Sequence, residues 1–566
     1  MLPRFIINPS FCEKIHSYCD CIVIGSGIAG LSTAMRISKH VRVKIFTKSS
    51  PSESNTWYAQ GGIAAAIKKP DMWMHHYEDT IKAGQGLCDR EAVKILVKNA
   101  PKMIEELVET GINFDISEGE ISLTTEGGHS FPRILHAGGD ATGEEVEKKL
   151  VSYIKSLENI EIFPEYFVLD ILTYDGRCIG IIGIDTNTSK IEIHPTSNVV
   201  IASGGVGQLY ELTTNPSIST GDGIAAAYRA GAEVMDIEFI QFHPTVFKTT
   251  DGRLFLISEA LRGEGAYLRD CDGNRFMLGK HTRAELAPRD IVVKEMIKVM
   301  KDTSCDFVYL DATHLPESLL KIRFPNIIFK LKENGLDLKK DLIKISPAAH
   351  YLNGGVKTSY EGLTNIDGLY CCGEAAATGA HGANRLASNS LIEGLVYGWK
   401  IYKNVTESLY KKTEKIKKEI TNQYIKDLSE NEDTPSNKDD LHLSKQTKNK
   451  DYKNNINELD IESLTDDFRH IMTEKVGILR DKESLEEAQN FIDSHISSSY
   501  LYNKKDKSTA EFINMLTVAK LITKAAGIRK ESRGTHQRND FPKKDDRNWK
   551  KHIILKKDKV YFKPVE

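Results

Sequence analysis

Five short segments of this 566-residue chain carry side chains that can bind or transfer charge. In chain order the residues are Gln241, His243, Thr245, Ser258, Glu259, Arg289, His350 and Arg385. Alternation along an extended segment would turn the first three toward one side. A single histidine or arginine is more often structural, but two of each around one cavity would suit a dianion. Arg385 would then bind one carboxylate through two hydrogen bonds, and His243, His350 and Ser258 would bind the other, as a four-carbon dicarboxylate requires.

The N-terminal part of the chain carries a nucleotide-binding pattern. An apolar strand predicted over 19–24 runs into Gly25-Ser26-Gly27-Ile28-Ala29-Gly30, and a helix of small and apolar residues is predicted over 31–38. In this context the glycines allow a tight turn, the approach of a pyrophosphate and close packing of helix on strand. The phosphates would lie at the positive end of the helix. The second strand ends in Thr47 and Lys48 instead of the acid that binds a ribose, which disfavours a plain NAD site.

Two further segments favour a flat ring system beside this pattern. Gln60-Gly61-Gly62 is a glycine turn within SNTWYAQGGIAAA (54–66), and LYCCGEAAATG (369–379) precedes HGANRLASNSLIEGLVYG (381–398). These segments resemble the flavin-binding segments of the succinate dehydrogenase/fumarate reductase flavoprotein family. Leu386-Ala387-Ser388 resembles the branch of that family that oxidises L-aspartate. The resemblance covers nearly all of the chain outside 411–460.

This resemblance implies an FAD cofactor and assigns residues to it. They are Gly25, Ser26, Gly27, Ala29, Gly30, Lys48, Thr56, Ala59, Gln60, Gly61, Gly62, Gly204, Asp222, Glu374, Ser390 and Leu391. Respiratory members of the family carry a histidine bonded covalently to the flavin just before the threonine that matches Thr56. Here that position is Asn55, whose amide has no comparable nucleophilic nitrogen, so we expect FAD to be bound without a covalent link.

The five charged segments match the active-site motifs of the same family. The resemblance implies catalytic roles for His243, Glu259, Arg289 and His350, and substrate-binding roles for Glu126, Gln241, Thr245, Ser258 and Arg385. In such enzymes a substrate hydride is transferred to flavin N5, and the residue matching Arg289 transfers the proton. Because arginine is nearly always protonated, it fits as the proton donor in fumarate reduction. As a base it would need a strongly perturbed site, such as contact with Glu259.

The loop LTTEGGHS (123–130) bears on whether the substrate carries an amine. Dehydrogenases of the family place an apolar residue before the Gly-Gly pair, where this chain has Glu126. A carboxylate beside a substrate ammonium in a closed pocket would select an amino acid over its deaminated analogue. The aspartate-oxidising branch has an arginine just before this glutamate, where this chain has Thr125. The alternative is a surface glutamate on a glycine loop.

The expected function is FAD-dependent oxidation of L-aspartate to iminoaspartate, with oxygen or fumarate as the electron acceptor. By resemblance the product feeds quinolinate and NAD biosynthesis, which implies a functional link to quinolinate synthase. Two alternatives stay open: a soluble fumarate reductase or succinate dehydrogenase flavoprotein, and a flavin-binding subunit that assembles with iron-sulfur or membrane partners. Asn55 and Glu126 argue against both.

The predicted fold class is α/β, with a Rossmann-like FAD-binding domain, an inserted α+β capping domain and a C-terminal helical bundle. The FAD-binding domain is expected over 1–234 and 351–410, and the capping domain over 235–350. A Lys/Asn/Asp/Glu-rich tract predicts a flexible charged insertion at 411–460. Periodic apolar residues predict the bundle within 461–566, and its tail is expected to dock the bundle onto the flavin domain.

Composition excludes several other classes of function. The net charge of −3 gives no argument for binding nucleic acid. No apolar run approaches the roughly 18 residues of a membrane span, and no secretory signal is evident, so we expect a cytoplasmic protein without membrane contact. The nine cysteines are scattered, so buried free thiols are expected instead of a disulfide framework or a metal site.

Overall fold

The computed structural model describes residues 2–409, 460–498, 501–502 and 504–565, so that the predicted insertion at 411–460 lies outside the described residues except for its last position. Up to residue 235 the strands are β1 (Lys14–Ile15), β2 (Cys21–Ile24), β3 (Val43–Phe46), β4 (Ile63–Ala64), β5 (Ile116–Ser117), β6 (Glu120–Ile121), β7 (Leu123–Thr124), β8 (Ile134–Leu135), β9 (Ile160–Phe163), β10 (Tyr166–Tyr174), β11 (Arg177–Asp185), β12 (Lys190–Pro195), β13 (Val199–Ile201) and β14 (Val234–Met235). The helices of this region are α1 (Ile28–Ile37), α2 (Trp73–Ala83), α3 (Arg90–Glu109), α4 (Thr142–Lys155) and α5 (Asp222–Arg229).

The remaining strands are β15 (Ile240–Lys248), β16 (Leu254–Leu256), β17 (Tyr267–Arg269), β18 (Val308–Asp311), β19 (Ile343–Leu352), β20 (Gly355–Lys357), β21 (Leu369–Cys371), β22 (Ala376–Ala377), β23 (Leu479–Arg480), β24 (Gln537–Arg538), β25 (Lys551–Lys556) and β26 (Lys559–Pro564). The helices are α6 (Ala260–Gly263), α7 (Arg289–Thr303), α8 (Glu317–Arg323), α9 (Pro325–Glu333), α10 (Asn389–Leu409), α11 (Ile461–Val476), α12 (Lys482–Ile496), α13 (Lys507–Ile528) and α14 (Asp546–Trp549). Within the described ranges, no helix combines the length and apolar character needed to cross a membrane.

A five-stranded parallel sheet forms the nucleotide-binding core, in the order β21, β13, β2, β3, β9. Its central strands are apolar and buried, as expected of a parallel sheet covered on both faces. β2 passes into α1 through Gly25, which has a φ of 112°. A Cβ at Gly30 would approach the Gly25 carbonyl oxygen to 2.1 Å, so α1 packs this closely on the turn only with glycine there. The Rossmann-like α/β fold predicted from the sequence is confirmed.

A second five-stranded sheet, in the order β16, β15, β19, β18, β17, lies within the segment predicted as a cap. Around it the segment builds a hydrophobic cluster of its own, which includes Leu261, Leu268, Met296, Phe324 and Leu331. The pairing of β15 with β19 is irregular at two places, between Gln241 and Phe242 and between His243 and Val246. Because a bulge changes which face the following side chains occupy, the alternation expected for Gln241, His243 and Thr245 is interrupted.

Cysteine pairing differs from the expectation of free thiols at one place in this segment. Cys271 and Cys305 form a disulfide, whereas seven other cysteines of the described chain are free. The two positions are 34 residues apart in the sequence, and this spacing does not by itself predict a disulfide. They meet because Cys271 follows β17 and Cys305 precedes β18, which pair as antiparallel neighbours.

The C-terminal part combines the predicted helices with strands that the sequence did not predict. Helices α11, α12 and α13 bury Phe468, Ile492 and Leu516 in one cluster with α5 and β10 of the flavin-binding part. The tail then adds β25 and β26 to a mixed sheet in the order β22, β20, β14, β25, β26. The tail therefore contacts the flavin-binding part through backbone pairing as well as through side chains.

Arg529, where the tail leaves α13, is the centre of a buried ionic cluster. Its Nε donates a hydrogen bond to Glu238 Oε1 at 2.6 Å, and its Nη2 lies 3.5 Å from Asp236 Oδ1. Its remaining donors bind Glu531 and the carbonyl oxygens of Trp549 and Lys551. Because the whole guanidinium is buried, these partners must replace the water it would otherwise bind.

We expect removal of Arg529 to destabilise the fold. In Arg529→Met, Glu238 stays buried without its cation, and breaking a buried pair in this way costs about 3–5 kcal/mol. The melting temperature of the FAD-loaded protein, followed by circular dichroism, should fall by several degrees. Arg253→Met serves as the control, because Arg253 pairs with Asp251 in solvent, and its melting temperature should be unchanged. Equal melting temperatures for all three proteins would contradict the role assigned to Arg529.

Candidate active site

One elongated cavity runs from the nucleotide-binding turn after β2 to the ends of β15 and β19, and encloses about 1700 Å³ of empty space, its open mouth included. Its wall includes both the glycines of the nucleotide-binding turn and the charged residues of the cap, so a dinucleotide and a substrate could lie side by side in it. Predicted residues on its wall are Gly25, Ser26, Gly27, Ala29, Lys48, Thr56, Ala59, Gln60, Gly61, Gly62, Glu126, Gly204, Asp222, His243, Ser258, Glu259, Arg289, His350, Glu374, Arg385, Ser390 and Leu391.

Three predicted residues lie behind this wall. Gly30 packs against the carbonyl oxygen of Gly25, as described above. Gln241 and Thr245 are fully buried, and each contacts a residue that does line the cavity. The structure therefore places Gln241 and Thr245 as supports for neighbouring side chains instead of on the substrate-facing surface.

The first end of the cavity suits a pyrophosphate. Helix α1 begins after Gly27, which has no side chain of its own to cap this end. The amide of Ile28 donates to Thr56 Oγ1 at 3.0 Å, and Ser26 Oγ donates to Thr47 Oγ1 at 3.0 Å. A helix N-terminus that follows a glycine and lies beside further glycines, which admit close backbone approach, fits the phosphates of FAD.

Lys48 lies near this end and is bound by acids. Its Nζ donates to Thr220 Oγ1 at 2.6 Å and to Asp222 Oδ2 at 2.7 Å, and it also pairs with Glu511 on α13. Burial alone would lower the pKa of Lys48, but the carboxylates of Asp222 and Glu511 raise it above its usual value. Lys48 therefore stays charged and joins α13 to the nucleotide-binding part.

Asn55 occupies the position where a covalent link to flavin would form. Its Nδ2 donates to Glu374 Oε2 at 2.8 Å, and its Oδ1 accepts a hydrogen bond from Ser219 Oγ at 2.8 Å. Burial raises the pKa of Glu374 to about 7. Both ends of the Asn55 amide are thus engaged by the protein.

At the other end of the cavity two arginines meet on one amide oxygen. Gln241 Oε1 accepts from Arg289 Nη1 at 2.9 Å and from Arg385 Nη2 at 3.2 Å. Arg385 lies over the ring of Tyr351, 4.2 Å from its centre, and its Nε is buried without a partner. Burial and the charge of Arg289 lower the pKa of Arg385 to about 10, so it remains a cation at neutral pH.

Glu259 supplies the counter-charge for the arginine at the start of α7. Its Oε2 accepts from Arg289 Nε at 2.6 Å, and its Oε1 lies 3.5 Å from Arg262 Nη2. Burial alone would raise the pKa of Glu259, but Arg289 and Arg262 hold it below its usual value. The arrangement is a buried chain of Arg262, Glu259 and Arg289 that ends at the cavity.

The two histidines are held neutral, each with one ring nitrogen engaged. His243 Nδ1 accepts from the backbone amide of Thr245 at 3.2 Å, which leaves the proton on Nε2. His350 Nδ1 lies 2.8 Å from Thr214 Oγ1. Burial, together with the charge of Arg289, lowers the pKa of both rings well below 6.5. Both therefore serve as neutral hydrogen-bonding groups.

Glu126 is a second carboxylate of the cavity without a full set of hydrogen bonds, since Glu259 Oε1 also has no hydrogen-bond partner. Its Oε2 accepts from Ser388 Oγ at 2.6 Å, while its Oε1 is buried without a hydrogen-bond partner. Burial and the nearby charge of Glu259 raise the pKa of Glu126. A buried carboxylate oxygen without a donor is costly, so this atom is suited to a ligand that brings a positive charge.

Sequence reasoning missed three residues that complete this end of the cavity. Ser388 adopts a φ of 59° and donates to Glu126, Thr214 contacts His350, and Tyr351 stacks against Arg385. The Leu-Ala-Ser motif was the only signal for Ser388. Thr214 contacts a residue 136 positions away, which no local pattern reveals.

A buried network behind the Glu126 loop was also missed. Arg133 donates to Asp71, Asp79 and His129. His129 in turn contacts the carbonyl oxygen of Ala387, next to Ser388. Since Arg133 Nη1 donates to His129 Nδ1, the ring donates through Nε2. The network therefore ties both sides of the Glu126–Ser388 hydrogen bond to α2.

Comparison with known proteins agrees with this geometry. A family model described as an FAD binding domain matches residues 20–391, and one described as the fumarate reductase flavoprotein C-terminus matches 465–566. An L-aspartate oxidase of Streptomyces coelicolor is 41% identical over 554 residues, 95% of this chain and 91% of that protein. One of Yersinia pestis is 41% identical over 538 residues, covering 92% and 96% of the two chains.

Solved structures show the same fold. The E. coli quinol fumarate reductase superposes with a TM-score of 0.84 at 29% identity, covering 98% of this chain and 97% of that one. An adenylylsulfate reductase of Archaeoglobus fulgidus, at 17% identity and a TM-score of 0.73, shares the fold alone. With these similarities over nearly its full length, the chain belongs to the L-aspartate oxidase family of FAD-binding flavoproteins related to fumarate reductase.

Proposed function

We propose that this protein oxidises L-aspartate to iminoaspartate in this cavity. The observation that supports the proposal most directly is that Glu126 Oε1 has no hydrogen-bond partner. A substrate ammonium would supply the missing donor and the missing positive charge together. Succinate and fumarate have no such group and would leave Glu126 Oε1 unpaired. The names of the relatives point to the same substrate, since both are L-aspartate oxidases.

The remaining side chains account for the two carboxylates of aspartate. Arg385, oriented by Gln241 and Tyr351, binds one carboxylate. His243, His350 and Ser258 bind the other, the two rings through the nitrogens that the protein leaves free. These contacts fix the substrate Cα at one place in the cavity, and orientation of this kind is a large part of catalysis.

FAD, when bound, supplies the acceptor for the hydride that leaves the substrate Cα. Gly25, Gly27 and Thr56 would hold it at the start of α1, and Glu374 and Asn55 lie beside it. Residues 235–350 would act as the cap that excludes water from this reaction. In fumarate reduction Arg289 would donate a proton to the substrate carbon. Glu259 and Arg262 would then return a proton to Arg289.

Fumarate suits the role of electron acceptor, because the side chains that would bind the two carboxylates of aspartate can bind those of fumarate, and the fold is that of a fumarate reductase. Oxygen is the second acceptor we propose.

Iminoaspartate is a reactive product, and we propose that it passes to quinolinate synthase in a route to NAD. We propose a cytoplasmic location, which the seven free cysteines of the described chain favour and the Cys271–Cys305 disulfide does not.

The first prediction from this proposed function is that FAD is released intact when the protein is denatured. Asn55 has no nucleophilic nitrogen, and both ends of its amide are hydrogen-bonded. Precipitation with acid should therefore leave all the flavin absorbance in the supernatant. Flavin that stays with the washed pellet would show that a covalent link forms elsewhere.

A second prediction tests Arg289 as the proton-transferring group. Arg289→Gln can still donate a hydrogen bond to Glu259 but has no acidic proton. Fumarate reduction by the reduced enzyme should fall about 10²- to 10⁴-fold. FAD content and the binding of succinate through Arg385 should be kept. Lys294→Gln, which removes an exposed cation from the same helix, is the matched control and should be unchanged. Near-normal fumarate turnover in Arg289→Gln would exclude this role.

The third prediction tests Glu126 as the partner of the substrate amine. Glu126→Gln keeps the shape and the contact with Ser388 but removes the charge. Losing one side of a buried ion pair costs about 3–5 kcal/mol, so kcat/KM for aspartate should fall roughly 10²- to 10³-fold. Fumarate reduction should be little changed, or improve. Glu118→Gln, on an exposed turn ahead of the same loop, should behave as wild type.

The pH dependence of kcat/KM for aspartate provides a second test of Glu126→Gln. Because the pKa of Glu126 is raised, kcat/KM for aspartate should decline at acidic pH as this carboxylate takes up a proton. That decline should be weaker in the variant. If aspartate oxidation and fumarate reduction fall equally in Glu126→Gln, the residue is structural and the proposed substrate is wrong.

A further inference from the structure

A buried histidine outside the cavity wall has no hydrogen-bond partner for either ring nitrogen. His194, on β12, is 1% exposed, and its Nδ1 and Nε2 are both buried without a hydrogen bond. Among the histidines of the described residues, no other has both ring nitrogens in that condition. A buried polar atom without a partner is costly, so its presence calls for a ligand.

Strand pairing brings two further ligand atoms to the same face. β1 and β12 are parallel neighbours, with Lys14 opposite Glu192 and Ile15 opposite Ile193. Side chains alternate along both strands, so His16, Glu192 and His194 share one face of the sheet. His16 Nε2 lies 2.9 Å and His194 Nε2 lies 3.6 Å from Glu192 Oε2, and ligand atoms of all three lie within 4.8 Å of one another.

We propose that His16, Glu192 and His194 bind a divalent transition-metal ion of the zinc class, with water completing the coordination. Two imidazoles and one carboxylate are a ligand set that Zn²⁺ accepts, and its borderline softness distinguishes it from Ca²⁺ or Mg²⁺, which require oxygen ligands. Metal binding needs neutral rings. Burial disfavours the charged imidazolium, and His194 is only 1% exposed, so its surroundings favour the neutral ring that a metal ion needs.

The residues around the proposed site allow a metal ion to bind with only small movements of side chains. Zn²⁺ bonds to nitrogen are about 2.0–2.1 Å long, so the ligand atoms must draw together. His16 is the more exposed ring and stacks on His194 at 3.9 Å between centres, so it is the one that can turn. Lys14, 3.7 Å from Glu192 and 57% exposed, can withdraw into solvent. Lys44, which also faces the rings, lies over Phe163.

The ion would be structural, because none of its three ligands lines the cavity described above. It would fix β1, which joins the sheet through two residue pairs, to β12. The His194 ring packs against Phe46 and Tyr166, whose other sides face the cavity at its nucleotide end. The site is thus separate from the proposed oxidation and does not depend on it.

Zinc titration of the FAD-loaded enzyme tests this proposal. The protein is stripped with a chelator, its active-site histidines are covered with saturating fumarate, and Zn²⁺ is added in competition with a chromophoric chelator. Wild type should bind one equivalent more than His194→Phe or His16→Gln. Co²⁺ should give visible absorption bands in wild type that both variants lack. His194→Phe refills a space walled by Phe46, Phe163 and Tyr166, and His16→Gln changes a partly exposed residue, so that one of them folds even if the other fails.

His314→Phe is the matched control, because His314 is exposed and stacks on Tyr267 in the cap. It should bind Zn²⁺ as wild type does. Zn²⁺ should also raise the melting temperature of wild type and of His314→Phe, but not of the other two variants. Equal stoichiometry in wild type, His194→Phe and His16→Gln, whether none or one, would overturn the proposal.

Discussion

The active site depends on holding two guanidinium groups side by side in a buried cavity. Arg289 and Arg385 share the amide oxygen of Gln241, and only Arg289 has a carboxylate, Glu259, within hydrogen-bonding distance. Like charges this close repel strongly where water is excluded. Burial, together with this repulsion, lowers the pKa of Arg385. A ligand with two carboxylates relieves the repulsion, so the protein's electrostatic strain and its preference for dicarboxylates have the same origin.

The fold meets this requirement by bringing distant segments to one edge of the parallel sheet. β2, β13 and β21 are neighbours, and the turns that follow them contain Gly25, Gly204 and Gly373 with φ values of 112°, 74° and 66°. Ligands of open α/β sheets bind at this carboxyl edge. The antiparallel sheet of the cap then adds His243 and His350 from paired strands, so that the cofactor end and the substrate end of the cavity are built by different sheets.

The sequence predicted the elements that have local patterns. The turn from β2 into α1 followed from glycine spacing, and the strand and helix on either side of it were expected over 19–24 and 31–38. The sequence did not predict that Gln241 and Thr245 lie behind the cavity wall. Simple alternation along a strand cannot reveal the two irregularities in the β15–β19 pairing. Nor did the sequence predict the Cys271–Cys305 disulfide, the Thr214–His350 contact or the Arg133 network, since each joins residues whose proximity depends on the finished fold.

The charge balance of the site explains how one cavity can suit both an amino acid and fumarate. Arg262, Arg289 and Arg385 are cations, and Glu259 is held ionised between two of them. With Glu126 protonated, these groups leave two positive charges, which match the two negative charges of fumarate. With Glu126 ionised, one positive charge remains, which matches the single net negative charge of aspartate. Burial and the charge of Glu259 raise the pKa of Glu126 and so favour its protonated form, whereas the ammonium of an amino acid beside it would favour the ionised form.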